Sequence, residues 1–246
     1  MTPQLQQLEI NPQCRLTLVA ENALLLSWCA KVCSAQHQDI INIQHLITEH
    51  FGAALISAVA SYHCLMLYLP PQLLLSAQTS HIIKQIVSRY YQTKAGSKTN
   101  TTANTIQIPV YYDTAQQWDL AEVARRCKMS VEQVIELHTS QHYRGYALGF
   151  TPGFCYLASL PESLHLPRRA SPRLQVPQGA VAIAEQQCAI YPVASPGGWH
   201  IIGQTPLAMY STQQGQFSAT IAVGQNVQFR AISKAEFTAL APGSTQ

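Results

Sequence analysis

The sequence predicts an α+β protein in two parts: a small N-terminal α/β domain over residues 1–92 and a mostly β domain over residues 108–246, joined by a linker over 93–107. Three observations predict it. Apolar strand-like runs and two amphipathic helical stretches alternate before residue 92. A polar stretch without period, TKAGSKTNTTANT (93–105), then breaks the pattern. From Leu148 to Pro206 the chain carries eight of its 14 prolines, with glycines and aromatics at close spacing. Proline fixes φ and removes a donor, and glycine admits positive φ, so this segment reads as short strands joined by stiff turns.

The first part opens with two strands, CRLTLVA (14–20) and NALLLSWC (22–29). Ile40, Ile43, Ile47 and Phe51 then share one face of a helix over 38–51, and Gly52 stops it. AALISAVASY (53–62) and HCLMLYL (63–69) are nearly contiguous and predict a hairpin. After Pro70-Pro71 a second helix aligns Ile82, Ile83, Ile86, Val87, Tyr90 and Tyr91. The order ββαββα places helices on one face of a mainly antiparallel sheet.

The second part starts with a strand, IPVYYD (108–113). Asp119 with Glu122, and Ser130 with Gln133, read as N-terminal capping pairs for two short helices, the first through Cys127 and the second reaching His138. The pair superficially resembles a helix-turn-helix, but the second helix carries Glu132 and Glu136 and no basic residue, which disfavours phosphate contact. FSATIAVGQNVQFRAI (217–232) reads as a strand–Gly–strand pair closing a barrel or sheet.

Composition narrows the function. The chain is 47% hydrophobic and only 11% charged, which fits permanent assembly with other chains, or else a surface unusually rich in uncharged polar Gln, Ser and Thr. Acids and bases cancel up to Glu136. Beyond it Glu162, Glu185 and Glu236 face Arg144, Arg168, Arg169, Arg173, Arg230 and Lys234. This mild positive balance suits a small anion, and no basic run points to nucleic acid. The N-terminus lacks a signal-peptide pattern and no apolar run reaches membrane-spanning length, so a cytoplasmic protein with seven reduced cysteines is expected. No metal site is expected, since Cys29-x3-Cys33 has no second pair and His138 and His142 have no companion ligand.

No complete catalytic set is visible: the phosphate loop, nucleophile elbow, zinc-helix and dinucleotide motifs are all missing. What remains suits an anion or a polar carbonyl. Arg168 and Arg173 follow prolines in PRRASPR; they fit a clamp on carboxylate or phosphate, and equally a brace for loops, with Arg169 facing solvent. In Ser195-Pro-Gly-Gly-Trp199, the amides of Gly197 and Gly198 offer an oxyanion cradle with Trp199 as a wall; a plain tight turn is the alternative. Tyr191-Pro192 permits a cis bond. His138 is positioned either to move a proton or to cap its helix.

These segments together carry a resemblance. H138-x4-Y143, LGFTPGFCYLASL, PRRASPRLQVPQGAVAIA, IYPVASPGGWHIIGQTP and GQNVQFRAI resemble the KipI / allophanate-hydrolase-subunit-1 family across the second half, and ASYHCLMLYL extends it into the first. The resemblance implies a ferredoxin-like N-terminal domain followed by a cyclophilin-like β-barrel. It implies one chain of an ATP-dependent 5-oxoprolinase, with ATP bound by or shared with two partner chains, one KipA-like and one LamB/YcsF-like. Related allophanate or urea amidolyase chemistry, and inhibition of a sensor histidine kinase, are the family's other activities. Carried onto this chain, the motifs give His138 as catalytic residue. Arg168, Arg173, Tyr191, Ser195, Gly197, Gly198, Trp199, Gln204 and Thr205 become substrate contacts. Gln204 stands where the family usually has Arg, and Glu185 where it usually has Gly.

Overall fold

A computed structural model describes residues 7–11, 13–28, 33–74, 76–94, 105–112, 118–213 and 215–241. The chain divides into two compact units, 1–102 and 103–246.

The first unit is a five-stranded antiparallel sheet. Its strands are β1 (Gln7–Asn11), β2 (Cys14–Ala20), β3 (Ala23–Trp28), β4 (Ser57–Ser61) and β5 (Cys64–Tyr68), in the order β1-β2-β3-β5-β4. Alternate residues Leu24, Leu26, Leu65 and Leu67 are buried, which is the two-residue period of a strand with one covered face. Helices α1 (Ser34–Phe51) and α3 (Ala77–Lys94) bury Ile40, Ile43, Ile47, Ile83 and Val87 in the same core; a short α2 (Pro71–Leu74) precedes α3. Helix α1 starts at Ser34 because the Cys33 side chain accepts from Gln36 N–H and caps it. Cys29 lies outside the described residues. Thr93 and Lys94, expected in the linker, form the last turn of α3, where the Lys94 ammonium meets Asp39 at 2.6 and 2.7 Å.

In the second unit seven strands form one barrel-like sheet. They are β6 (Thr105–Val110), β7 (Tyr143–Leu148), β8 (Cys155–Ala158), β10 (Ala180–Ala184), β11 (Gln187–Ile190), β13 (His200–Gln204) and β16 (Asn226–Ala231), in the order β13-β10-β11-β8-β7-β16-β6. Thr105 to Gln107, also expected in the linker, belong to β6. The two edges meet beyond β6, where Tyr111 and Gln204 exchange N–H···O bonds of 2.8 and 2.9 Å. Gly203 makes this approach possible: a Cβ there would lie 2.6 Å from Val110 Cγ1 and 3.0 Å from the Tyr111 carbonyl.

Four further strands complete the unit as two ribbons. β9 (Arg173–Val176) pairs with β12 (Ser195–Gly197), and β14 (Tyr210–Gln213) pairs with β15 (Gln216–Ala219). The expected pairing within 217–232 is therefore corrected: β15 turns back on β14, while β16 inserts antiparallel to β7 and parallel to β6. Helices α4 (Leu120–Cys127) and α5 (Val131–Ser140) seal the interior with Leu120, Val123, Ala124 and Val134; α6 (Lys234–Leu240) ends the described chain.

Strand β10, AVAIA, sorts the two faces. Val181 and Ile183 enter the barrel core, while Ala180, Ala182 and Ala184 face a second layer with Phe154, Tyr191, Trp199 and Val176. Alanines on that face leave room for large rings, and Phe154 meets Tyr191 and Trp199 edge-on at 5.4 and 6.0 Å. The β9–β12 ribbon lies over this aromatic layer through Val176. None of the helices described is long and apolar enough to cross a membrane.

Candidate functional site

The ribbon is anchored by a residue that the sequence reading took for a helix cap. Asp119 precedes α4, yet its side chain makes no cap hydrogen bond. Its backbone N–H instead donates to the Ile201 carbonyl (2.8 Å), and its carboxylate accepts from Ile201 N–H (2.8 Å). Asp119 thus satisfies the free edge of β13 one step past the Tyr111–Gln204 contact, where an open strand would expose unpaired groups.

The same carboxylate receives two arginines. Arg169 Nη1 donates at 2.5 Å, and Arg173 donates through Nη1 and Nη2 at 2.8 Å each. Burial alone would raise the Asp119 carboxyl. The bonds from Arg173 and Ile201 and the charges of Arg173 and Arg169 outweigh it and hold the group below the usual carboxylate range. Two guanidiniums on one carboxylate leave a net positive charge. Arg169 Nε and the Ser195 hydroxyl are buried without a hydrogen-bond partner among the described residues, a capacity for further polar contact beside that charge.

Six of the expected site residues gather here. Arg173 sits opposite Gly197 across the ribbon, and Ser195 opposite Val176. Gly198 accepts from Arg169 N–H at 2.8 Å. Trp199 is buried in the aromatic layer with Tyr191, whose hydroxyl lies against Gly197; any Cβ at Gly197 would collide with it. Burial raises the Tyr191 hydroxyl pKa, against the lowering effect of Arg168, Arg173 and a bond to the Trp199 backbone. Arg168 itself is exposed at the rim.

Several expectations are corrected. Arg169, expected to face solvent, is a partner of Asp119, and Arg168 is the exposed one. The segment at 195–199, read as a cradle or a tight turn, is extended over Ser195–Gly197, where it pairs with β9. Gln204 and Thr205 lie at the far end of β13, where Gln204 Nε2 donates to the Gln178 carbonyl and Thr205 N–H to the Gly179 carbonyl. They hold the turn before β10 and do not reach the arginines. Tyr191-Pro192 is trans.

His138 is the largest departure. Its helix runs on to Ser140, and the imidazole is sealed in the barrel core with no exposure. Nδ1 lies 2.6 Å from the Tyr112 hydroxyl, Nε2 3.3 Å from Cys188 Sγ, and the ring stacks on Phe229 at 4.4 Å. Burial pushes its pKa down to about 3, which favours the neutral ring, and none of it is exposed in this chain.

Comparison with known proteins places this geometry. Residues 14–220 match the carboxyltransferase domain family, subdomains C and D. The chain is 49% identical over 124 residues to the 5-oxoprolinase B chain of Escherichia coli O157:H7, covering 50% of this chain and 56% of that protein. It is 40% identical over 134 residues to the 5-oxoprolinase B chain of Bacillus subtilis, covering 54% and 55%. The matches thus span about half the length of these curated relatives.

Among solved structures, TTHA0988 superposes with a TM-score of 0.71 at 31% identity, over 86% of this chain and 40% of that one. The conserved uncharacterized protein PH0987 from Pyrococcus horikoshii aligns over 90% of this chain and 99% of its own, with a TM-score of 0.51 and 31% identity. Kluyveromyces lactis urea carboxylase shares the fold at 12% identity and a TM-score of 0.67, over 96% of this chain and 24% of that enzyme. With its barrel, ribbon and matched span, this chain belongs to the carboxyltransferase domain family of subdomains C and D, the KipI / allophanate-hydrolase-subunit-1 type.

Proposed function

We propose that this chain is the KipI-type component of an ATP-dependent 5-oxoprolinase, opening the lactam of 5-oxoproline to L-glutamate together with a KipA-like and a LamB/YcsF-like partner. The observation that carries the reading is the 49% identity to a 5-oxoprolinase B chain over 124 residues. The ribbon supports it chemically. 5-Oxoproline is a small carboxylate with an uncharged lactam. The Arg169–Arg173–Asp119 cluster keeps an excess positive charge, and Arg168 adds another at the rim. In this reading the excess charge centred on Arg173 holds the substrate carboxylate, and the aromatic layer fixes the ribbon that presents it.

ATP bound in the assembly would supply the driving force for lactam activation. This chain fits poorly as its holder. The α4 N-terminus carries the carboxylates of Asp119 and Glu122, and Ser130 with Gln133 and Ser233 with Glu236 close the N-termini of α5 and α6. Helix N-termini that are already capped, or lined by acids, do not attract phosphate. In this reading the nucleotide site is shared with or supplied by a partner, and the chain alone is inactive.

Mixing this chain with its purified KipA-like and LamB/YcsF-like partners, ATP and 5-oxoproline, and measuring glutamate and ADP together, tests the proposal. Equal release of both is expected. Absence of glutamate from a folded three-component mixture would refute it.

A further inference from the structure

We propose that the outer face of the β9–β12 ribbon is the docking surface for the KipA-like partner, with Leu174 as apolar anchor and Arg168 as charged rim. The partner's identity rests on the 5-oxoprolinase reading above; the location rests on the ribbon itself. Leu174 is 93% exposed, the most exposed large apolar side chain among the described residues. Its position is nevertheless fixed. On one side Arg173 is tied to Asp119, and on the other Val176 is fully buried in the aromatic layer.

The two arms of the ribbon, 167–177 and 192–198, hold five prolines: 167, 172, 177, 192 and 196. Such a stem loses little conformational freedom on binding, which is the property of a preorganised contact. A second apolar group extends the surface. Phe150 is 59% exposed and held at φ +69°, a region that bulky residues avoid, and its ring meets Tyr191 at 6.4 Å. Tyr191 in turn touches Gly197, the ribbon residue opposite Arg173. Apolar anchors inside a polar rim form the usual anatomy of a protein interface.

Charge selects the partner. The arms carry Arg168, Arg169 and Arg173 and no acid, and Asp119 cancels one of the three. Arg168 makes no ion pair among the described residues. A second copy of this chain would set like charge against like, and a nucleic acid offers no socket for a leucine. The complement is a protein surface with an apolar socket edged by carboxylates.

Calorimetric titration of the full chain with the purified KipA-like partner tests this. Leu174→Asp is expected to weaken binding at least ~30-fold. Leu174→Met should bind as the wild type does, and Arg168→Glu should slow association and reduce its salt dependence. Leu240→Asp, on the half-exposed face of α6, serves as a surface control and should leave affinity unchanged. Because Leu174 is so exposed, its variants should melt with the wild type. Equal affinity of wild type and Leu174→Asp would overturn the docking site while leaving the 5-oxoprolinase reading intact. Failure of the wild type to bind the KipA-like partner would overturn both.

Discussion

Replacing Asp119 with asparagine removes the charge on which the ribbon and the barrel edge converge. Asp119 is 4% exposed, and its carboxylate accepts three guanidinium bonds and one amide bond. An amide keeps one acceptor oxygen and turns its NH2 toward donors, so at least one guanidinium faces another donor. Breaking one partner of a buried ion pair costs about 3–5 kcal/mol. The Arg169 and Arg173 side chains retain 30% and 25% exposure, which lets water recover part of this. A loss of about 3 kcal/mol follows, on the order of a 10 °C fall in Tm.

Urea denaturation at several pH values is the assay, followed by tryptophan fluorescence in a Trp28→Phe, Trp118→Phe background that leaves Trp199 beneath the ribbon as the reporter. The depressed Asp119 carboxyl contributes stability above the unfolded value of about 4 and loses it as pH falls toward the folded value. The gap between wild type and variant should therefore be full at pH 7 and close below about pH 4. A gap under about 1 kcal/mol at pH 7, with unchanged pH dependence, would refute the reasoning.

Three other outcomes are expected. Gly203→Ala forces a methyl against Val110 and Tyr111 and should cost about 1–3 kcal/mol in a melting experiment, by prying open the barrel closure. His138→Phe should flatten the acid side of the stability profile. The sealed imidazole resists protonation in the fold, so the wild type loses up to about 1.4 kcal/mol per pH unit below about pH 6.5. In the proposed three-component assembly the same variant, if folded, should keep the wild-type rate of glutamate release. Glu185→Gly should raise stability by about 1 kcal/mol on thermal melting, since Glu185 holds φ +52° in the β10–β11 turn where the family usually has glycine.

Local pattern made much of this fold legible. The two isoleucine stripes and the Ser130–Gln133 capping box are short-range signals, and each forms as read. The misreadings concern pairings between distant residues. β16 beside β6, and β9 beside β12, depend on barrel closure and on the aromatic layer, which no window of sequence contains.

Asp119 shows the same limit in one residue. Asp-x-x-Glu before a helix is the local signature of a cap, and it hid arginine partners 50 and 54 residues away. A signal was present: Asp119 is the last aspartate of the chain, and Arg168, Arg169 and Arg173 follow with no acid among them. Likewise His138 ends an apolar helix face, and only the closed barrel reveals that the face points inward.

The central claim is that the arginine ribbon holds a small carboxylate inside a complex completed by other chains. The most direct measurement is steady-state 5-oxoproline-dependent ATP turnover by the three-component enzyme carrying Arg173→Met, a variant that keeps the side-chain length and removes the guanidinium. The account predicts a KM for 5-oxoproline raised at least ~10-fold with assembly intact, since a charged hydrogen-bonded pair contributes about 1.5–3 kcal/mol. An unchanged KM in an intact complex would contradict it.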